Sequence, residues 1–345
     1  PGPAPPPDAS PPPGVPPTSG ASLIAGRTPL RRAPIRCRRG AAAAAVGLGL
    51  KPRYGELDPY RMAASAIDEA LRNVVAIGAD PARTAILDNF CWGDPKDPVQ
   101  MGALAEAARA CYELSKELGA PFISGKDSLN NTFEAAGKRV SIPTTLLVSA
   151  LSILPDAAKA VTLDLKGPGH PLYLGGLTRR EMGGSHFYAG AGGRGGDVPS
   201  VDPKVSRRTF DALHVAIGKG GVLSCHDLSE GGLAACAAEM AIAGRLGLSL
   251  DLSLAAVSGD LKRDDEILFS ESNARFLVEL DPARAGAFEM LFAAAHVPCQ
   301  RVGETAADGR LRATGLDGKA VLDETVEDLR KAWQDPLPAL MGGES

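Results

Sequence analysis

From residue 60 onward, the apolar residues of this chain follow helical and strand periodicities in alternation. Spacings of three or four residues over 60–77 and 101–118 predict two amphipathic helices. Short apolar runs at 82–87, 121–124 and 140–154 predict strands between and after them. Helices interleaved with strands bury their apolar faces by packing on a sheet, so the pattern predicts a layered α/β or α+β fold.

A second alternating series follows residues 155–170, which are rich in proline and glycine. We place a boundary between two domains there, since 345 residues exceed a typical single domain of about 100–150 residues. The predicted elements beyond it are helices at 206–219, 231–245 and 282–295, strands at 172–174, 222–225, 248–252 and 276–280, short strands near Arg301, Leu311 and Ala320, and a last helix ending near Trp333.

The first 45 residues differ from the rest in composition. Residues 1–46 hold 12 of the 28 prolines and six arginines, but a single acid, Asp8. Burial of so little apolar surface cannot offset the entropy lost when the chain becomes ordered. A disordered Pro- and Arg-rich tail is therefore predicted over 1–45. A transit peptide and a tail unrelated to the fold are alternatives, whereas a secretory signal lacks its apolar core.

Charge and cysteine content exclude several classes of protein. A formal net charge of −4 argues against a general nucleic-acid binder. Uninterrupted apolar runs of about 18 residues are missing from the sequence, which argues against a membrane-spanning helix. The six cysteines are scattered without a CxxC pair, so a reducing, cytoplasmic location is expected.

Polar segments that follow predicted strands are the first candidates for chemistry. In 124–128, Gly125 allows close backbone approach to an anion, Lys126 supplies a charge suited to phosphate, and Ser128 adds a hydroxyl. An ordinary turn with a solvated lysine is the alternative. In 226–232, Asp227 and Ser229 precede a predicted helix and suit a metal ligand, a phosphate contact or a simple helix cap.

The helix predicted over 60–77 carries a further set of oxygen-bearing side chains. Glu69 and Asn73 are four residues apart and therefore share one helix face, with Asp68 beside them. Hard oxygen ligands suit Mg²⁺ bound to phosphates. Polar pairs at this spacing are also common on solvated helix faces, so spacing alone leaves both interpretations open.

Six motifs occur in a fixed order within residues 46–335. They are the run 51–76 (KPRYGELDPYRMAASAIDEALRNVVA), 88–93 (DNFCWG), 124–128 (SGKDS), 181–185 (EMGGS), 226–233 (HDLSEGGL) and 269–272 (FSES). Together they resemble the phosphoribosylformylglycinamidine synthases, which belong to the aminoimidazole-ribonucleotide-synthetase-like ATP-binding superfamily. Six ordered motifs make a chance match improbable.

The resemblance implies a fold in which a pair of domains, A and B, occurs twice, and this chain is similar to the second pair. The A-type domain, residues 46–155, would contribute strands to a β-barrel shared with a partner A-type domain. That partner would be an N-terminal half of the synthase or a second copy. The B-type domain, residues 168–335, would form an α/β sandwich.

The resemblance also implies a reaction in purine biosynthesis. ATP activates the formamide oxygen of formylglycinamide ribonucleotide, and ammonia from a glutaminase subunit or domain then displaces phosphate. Two alternatives stay open: a non-catalytic half that binds a nucleotide as a scaffold, and a stand-alone homodimeric synthetase or kinase of the same superfamily.

By position, the resemblance assigns roles to eight residues. The implied contacts are Asp88, Gly125, Lys126 and Ser229 for ATP or ADP, Ser128 for the substrate, and Glu69, Asn73 and Asp227 for Mg²⁺ at an auxiliary nucleotide site.

The sequence departs from the family pattern in three places. The family's catalytic histidines lie in the first domain pair, so no catalytic residue is assigned here. A further acidic metal ligand, expected well upstream of Glu69, would fall in the Pro- and Arg-rich segment. Some members have a metal-ligating Asn where this chain has Lys126.

Overall fold

The structure is a computed structural model that describes residues 23–24, 40–193, 195–259 and 261–341. Its N-terminal part holds two sheets, one of them a hairpin, and three helices. The elements are β1 (Leu23–Ile24), β2 (Ala43–Leu50), α1 (Pro52–Gly55), α2 (Pro59–Ala76), β3 (Thr84–Cys91), α3 (Pro98–Leu118), β4 (Phe122–Ser128), β5 (Thr132–Ala135), β6 (Lys138–Ser141) and β7 (Thr145–Leu154).

The C-terminal part builds a second large sheet. Its elements are β8 (Pro171–Gly175), α4 (His186–Gly190), α5 (Pro203–Gly218), β9 (Val222–Asp227), α6 (Gly232–Gly244), β10 (Gly247–Asp251), α7 (Asp264–Phe269), β11 (Phe276–Leu280), α8 (Ala285–Ala294), β12 (Cys299–Ala306), β13 (Arg310–Thr314), β14 (Ala320–Thr325), α9 (Val326–Gln334) and α10 (Pro336–Leu340).

The first sheet has the strand order β1-β2-β7-β3-β4. β2 and β3 both pair antiparallel with β7, while β4 lies parallel to β3 at the edge. α2 and α3 cover one face of this sheet. α2 starts where the Asp58 carboxylate accepts a hydrogen bond from the Arg61 amide at 2.9 Å, with Pro59 at its first position.

Two glycines of β2 let α2 approach the sheet closely. A side chain at Gly49 would collide with the backbone of Ala66, and one at Gly47 would collide with the Ala70 carbonyl. The close approach buries almost every side chain of α2. This explains why β2 alternates glycine with larger residues.

We expect Gly49→Ala to lower the free energy of unfolding by about 1–3 kcal/mol, because the added methyl overpacks against helix backbone that cannot move aside. The matched control is Gly102→Ala on α3, where nothing lies within 4 Å. That change should stabilise the helix by about 0.5–1 kcal/mol. Urea unfolding of both variants is the measurement, and equal effects would contradict the close packing of α2.

The second sheet has the order β14-β13-β10-β12-β8-β11-β9 and is mostly antiparallel, with β10 and β13 parallel. β8 and β11 are buried along their whole length. Alternate residues of β11 therefore belong to two apolar cores, one on each face of the sheet. Phe276 and Val278 pack toward α5 and α8, and Leu277 packs toward α6.

The resulting order of layers is first sheet, α2 with α3, α5 with α8, second sheet, and α6 with α9. One continuous apolar core joins the first three layers to one face of the second sheet. The predicted layered α/β architecture is confirmed, and the last predicted helix, ending near Trp333, is α9.

Three predicted local features need correction. Residues 125–128 continue the edge strand β4 instead of forming a turn. The strand predicted over 140–154 is broken near Pro143, and its first residues belong to the β5–β6 hairpin. Most of the tail predicted over 1–45 lies outside the described residues, but β1 pairs with β2 and β2 begins at Ala43, so these residues belong to the sheet.

None of the helices in the described part of the chain combines the length and the apolar content needed to cross a bilayer.

Candidate functional site

The outer edge of the first sheet brings together the predicted nucleotide and substrate contacts. β3 and β4 run parallel and in register, with Asp88 opposite Gly125 and Cys91 opposite Ser128. The absence of a side chain at Gly125 matters here, because a Cβ would overlap the Asp88 carboxylate. Asp88, Gly125, Lys126 and Ser128 therefore lie on two neighbouring strands at one edge of the sheet.

Strand alternation divides these side chains between the two faces of the sheet. Asp88 lies on the face covered by α3, beside Asp127. Burial raises the pKa of Asp88 above its ordinary value, and the nearby Asp127 carboxylate raises it further. Lys126 and Ser128 lie on the opposite face, where the Lys126 ammonium donates a hydrogen bond to the Ser128 hydroxyl.

That opposite face is open and apolar along β2 and β7. Leu48 is 47% exposed and Ile153 is 51% exposed, and Leu50 and Leu151 beside them are also exposed. The alternation and register of the two strands place all four side chains on the face away from α2. An aliphatic surface of this kind on a sheet indicates an interaction site.

The predicted metal ligands meet at a different place, between α2 and the end of β9. We call Glu69, Asn73 and Asp227 the α2–β9 cluster. Asn73 Nδ2 donates to Asp227 Oδ1 at 3.1 Å. Asn73 and Glu69 also accept hydrogen bonds from the amides of Leu48 and Leu50. The structure therefore brings these three predicted residues together.

A buried lysine supplies positive charge to the α2–β9 cluster. Lys51 Nζ lies 3.0 Å from Glu69 Oε1 and 3.1 Å from Glu230 Oε1. Burial alone would lower the pKa of Lys51, but the attraction of Glu69 and Glu230 outweighs it and raises that pKa. For Glu69, burial dominates and its pKa is raised. Lys51 therefore remains an ammonium ion.

A buried arginine completes the charge pairing. Arg72 on α2 donates to Asp68 on the same helix, lies 3.5 Å from Asp227, and donates to the Leu228 carbonyl at 3.0 Å. Although burial disfavours its charge, Asp68 and Asp227 raise the pKa of Arg72. Arg72 also donates to Asn273 at 2.9 Å, so it connects α2 with two loops of the second sheet.

His226 is held next to the α2–β9 cluster by two carboxylates. Its Nε2 is 2.6 Å from Glu239, and its Nδ1 is 3.4 Å from Asp227. Burial lowers the pKa of His226, but its hydrogen bonds to the two carboxylates raise the pKa to about 10. Burial also opposes the ionisation of Asp227, yet His226 and Arg72 bring its pKa down to about 2. His226 is thus a structural histidine.

The Glu271 carboxylate, which lies in one of the six motifs, contacts residues of two other motifs and the residue that follows a fourth. It accepts hydrogen bonds from the Tyr54 hydroxyl at 2.5 Å, from the Gly231 amide at 2.9 Å and from the His186 amide at 3.0 Å. Tyr54, Gly231 and Glu271 lie within three different motifs, and His186 directly follows a fourth. These motifs are thus part of the contact between the two parts of the chain.

The eight predicted residues form two separate groups. The α2–β9 cluster bonds to β2, whereas Gly125 lies on β4, three strands away, which corresponds to about 14 Å across the sheet. Ser229 lies two residues after Asp227 and donates to Glu230 at 3.1 Å. A single magnesium–phosphate group held by both Gly125 and Glu69 is therefore not possible.

The α2–β9 cluster does not fit a divalent metal in the arrangement observed. Its donors are hard oxygens, which Mg²⁺ prefers. However, Glu69 Oε1 and Oε2 accept from Lys51 and Leu50, and both Asp227 oxygens lie against Asn73, His226 or Arg72. Among the described residues there is no group of three or more His, Cys, Asp or Glu that could hold a metal ion.

Sequence reasoning missed Lys51 and Arg72 as the cationic partners of this cluster. Arg72 is four residues from Asp68 on a helix that is rich in alanine and other apolar residues, and this spacing could have indicated a buried ion pair. For Lys51, no local signal is available, since its partners are distant in sequence.

Comparison with known proteins identifies the family. Residues 35–147 match the family described as AIR synthase related protein, N-terminal domain, and residues 167–315 match its C-terminal domain. The chain belongs to the AIR-synthase-related family. A curated relative, the phosphoribosylformylglycinamidine synthase subunit PurL of Deinococcus radiodurans, is 32% identical over 297 residues. The predicted resemblance is thus confirmed.

Two solved structures share the fold of this chain. Thermotoga maritima PurL complexed with FGAR aligns with a TM-score of 0.70 at 20% identity, covering 87% of this chain and 49% of that one. A thiamine-monophosphate kinase from Stenotrophomonas maltophilia aligns with a TM-score of 0.58 at 15% identity, covering 82% and 88%. The Deinococcus match covers 84% of this chain but 39% of PurL, so the chain spans less than half of that relative's length.

Proposed function

We propose that this chain acts as the second domain pair of a phosphoribosylformylglycinamidine synthase. With an N-terminal half it would convert formylglycinamide ribonucleotide, ATP and ammonia to formylglycinamidine ribonucleotide, ADP and phosphate. The observation that carries the proposal is the β3–β4 edge, where Asp88 lies beside Gly125 on one face and Lys126 contacts Ser128 on the other. The curated PurL relatives support the same reaction.

The open face of the first sheet supports a partner domain. We propose that residues 46–155 are the A-type domain and 168–335 the B-type domain. The exposed aliphatic residues of β2 and β7 would pack against the sheet of a second A-type domain, so that the two sheets close into a shared barrel. Burying this surface contributes the main driving force for association.

The proposed chemistry needs an anion site next to a substrate site. Transfer of the terminal phosphoryl group of ATP to the formamide oxygen gives ADP and a phosphorylated amide, and ammonia then displaces phosphate from the carbon. Gly125 would allow close backbone approach to the nucleotide, next to Asp88. Lys126 would balance phosphate charge, and Ser128 would contact the ribonucleotide. Mg²⁺ enters this proposal as the companion of the nucleotide phosphates.

A second candidate is a self-sufficient enzyme or nucleotide-binding scaffold made of two copies of this chain. One observation favours it: the S. maltophilia kinase is matched over 88% of its chain, so one pair of these domains makes up most of that protein. In this case a second copy would cover the open face. A cytoplasmic location stays a prediction for both candidates.

Reconstitution separates the two candidates. The chain is assayed with ATP, formylglycinamide ribonucleotide and ammonium chloride, which replaces the glutaminase, with and without the N-terminal half of a PurL supplied as a separate polypeptide. We expect ADP and product only when both halves are present. Turnover by this chain alone would support the homodimer, and failure of both would contradict an enzymatic role.

We expect Gly125→Ala to reduce the turnover of the reconstituted enzyme by about tenfold or more. The added methyl displaces the Asp88 carboxylate, a movable side chain, so folding stability should change little. The matched control is Gly286→Ala on α8, where nothing lies within 4 Å. Steady-state kinetics and thermal unfolding check the result. Full activity of Gly125→Ala would argue against a ligand at the β3–β4 edge.

A further inference from the structure

Lys51 follows β2 directly, and its ammonium group is buried between two carboxylates. The side chain is 2% exposed, with Nζ at 3.0 Å from Glu69 and 3.1 Å from Glu230. Glu69 lies on α2, whereas Glu230 lies in the loop between β9 and α6. An ammonium group is costly to bury unless anions surround it, so these two carboxylates keep it in place.

We infer that the Lys51 ammonium takes the place of a divalent cation at the α2–β9 cluster. The resemblance of the sequence to its family led to Mg²⁺ being expected at Glu69, Asn73 and Asp227. In this chain the positive charge at that point is covalently attached. The inference concerns a site away from the β3–β4 edge and does not rest on the proposed function.

The geometry makes the lysine and a metal mutually exclusive. Mg²⁺ binds oxygens at about 2.0–2.1 Å. An ion at that distance from Glu69 Oε1 would lie within about 5 Å of Lys51 Nζ, which is 3.0 Å from the same oxygen. Two cations so close repel strongly where little water screens them. For the metal to enter, Lys51 would have to leave a pocket in which it is almost fully buried.

Lys51 also links the two carboxylates, as a bound metal ion would. It joins the helix α2 to the Ser229–Glu230 loop, so it holds the first sheet's layer against the second sheet. The two carboxylates come from parts of the chain 161 residues apart, and the Lys51 ammonium group lies within 3.1 Å of both. The ammonium group is the contact between them.

The test uses the full chain without nucleotide and Mn²⁺ as a paramagnetic probe. Five proteins are compared by the electron paramagnetic resonance signal of free Mn²⁺: the parent chain, Lys51→Met, Glu69→Gln, Lys51→Met with Glu69→Gln, and Lys319→Met. Lys319 pairs with Asp317 at 2.8 Å but is 82% exposed, so its replacement removes the same charge outside the cluster.

Lys51→Met is expected to bind one more Mn²⁺ per chain than the parent chain does. The Kd of this additional ion should be lower by about tenfold or more than the Kd of Mn²⁺ for the parent chain. Saturating Mn²⁺ should raise its melting temperature by about 5 °C. Adding Glu69→Gln should abolish both effects, and Lys319→Met should behave like the parent. The parent chain and Glu69→Gln alone should bind Mn²⁺ equally.

Two results would overturn the inference. One is a parent chain that binds Mn²⁺ in a manner lost in Glu69→Gln, since the metal would then coexist with Lys51. The other is a folded Lys51→Met that gains no Mn²⁺ site. If Lys51→Met does not fold, the comparison of the parent chain with Glu69→Gln still decides the matter.

Discussion

Arg72→Met is expected to lower the free energy of unfolding by about 3–5 kcal/mol. Removal of this guanidinium leaves Asp68, which is fully buried, with the Ser206 hydroxyl and one backbone amide as its remaining donors, and it weakens the pairing of Asp227. A buried carboxylate without its cation is far less stable than a buried pair. Urea unfolding monitored by circular dichroism measures the change.

The matched control is Arg109→Met on α3. Arg109 pairs with Glu106 and Glu113, but these side chains are half-exposed. Exposed pairs of this kind contribute about 0.2–1 kcal/mol, so this variant should unfold almost like the parent. Replacing Asp68 by Asn together with Arg72→Met should recover part of the loss. Similar costs for Arg72→Met and Arg109→Met would contradict a buried network between the layers.

The second large effect is expected on the association of this chain with an N-terminal half. Leu48→Asp combined with Leu151→Asp places two carboxylates on the open face of the first sheet. Because burial of unpaired carboxylates against a partner sheet is very costly, binding of the N-terminal half should weaken by about 100-fold or more. Turnover of the reconstituted enzyme should fall accordingly. Isothermal titration of one half with the other measures the affinity.

The stability of the isolated chain should change little in this double variant, since both side chains are exposed in it. Met290→Asp is the control: Met290 is 69% exposed on α8, away from the open face, and its replacement should leave the affinity unchanged. An unchanged affinity in Leu48→Asp with Leu151→Asp would show that the partner domain binds elsewhere.

Much of the fold could be predicted because local periodicity and capping agree with the final structure. The helix predicted over 60–77 is α2 within one residue at each end, since Asp58 caps its start and apolar spacing marks its buried face. The sequence did not predict β2, because its small residues Gly47 and Gly49 are not typical of strands. Their role, which is to let α2 pack closely on the sheet, follows only from the tertiary structure. Apolar composition alone predicted one strand over 140–154, but the chain is interrupted near Pro143 and β7 begins at Thr145.

The candidate site could likewise be predicted only in part from the sequence. That Glu69 and Asn73 share a helix face follows from their spacing, and the polar segments at the ends of β4 and β9 stand out by composition. The pairing of Asp88 with Gly125 depends on the register of two strands joined through α3, which the sequence does not encode locally. The separation of the β3–β4 edge from the α2–β9 cluster likewise follows from the strand order.

The sequence by itself determined the element types, the layered class and the family, because these depend on short-range periodicity and on motifs in order. Only the tertiary structure decided which charges neutralise one another. Lys51 and Glu230 are distant in sequence, and the free energy of burying each depends on the other being there. Electrostatic pairing inside a protein is a property of positions in space, so a chain read residue by residue does not reveal it.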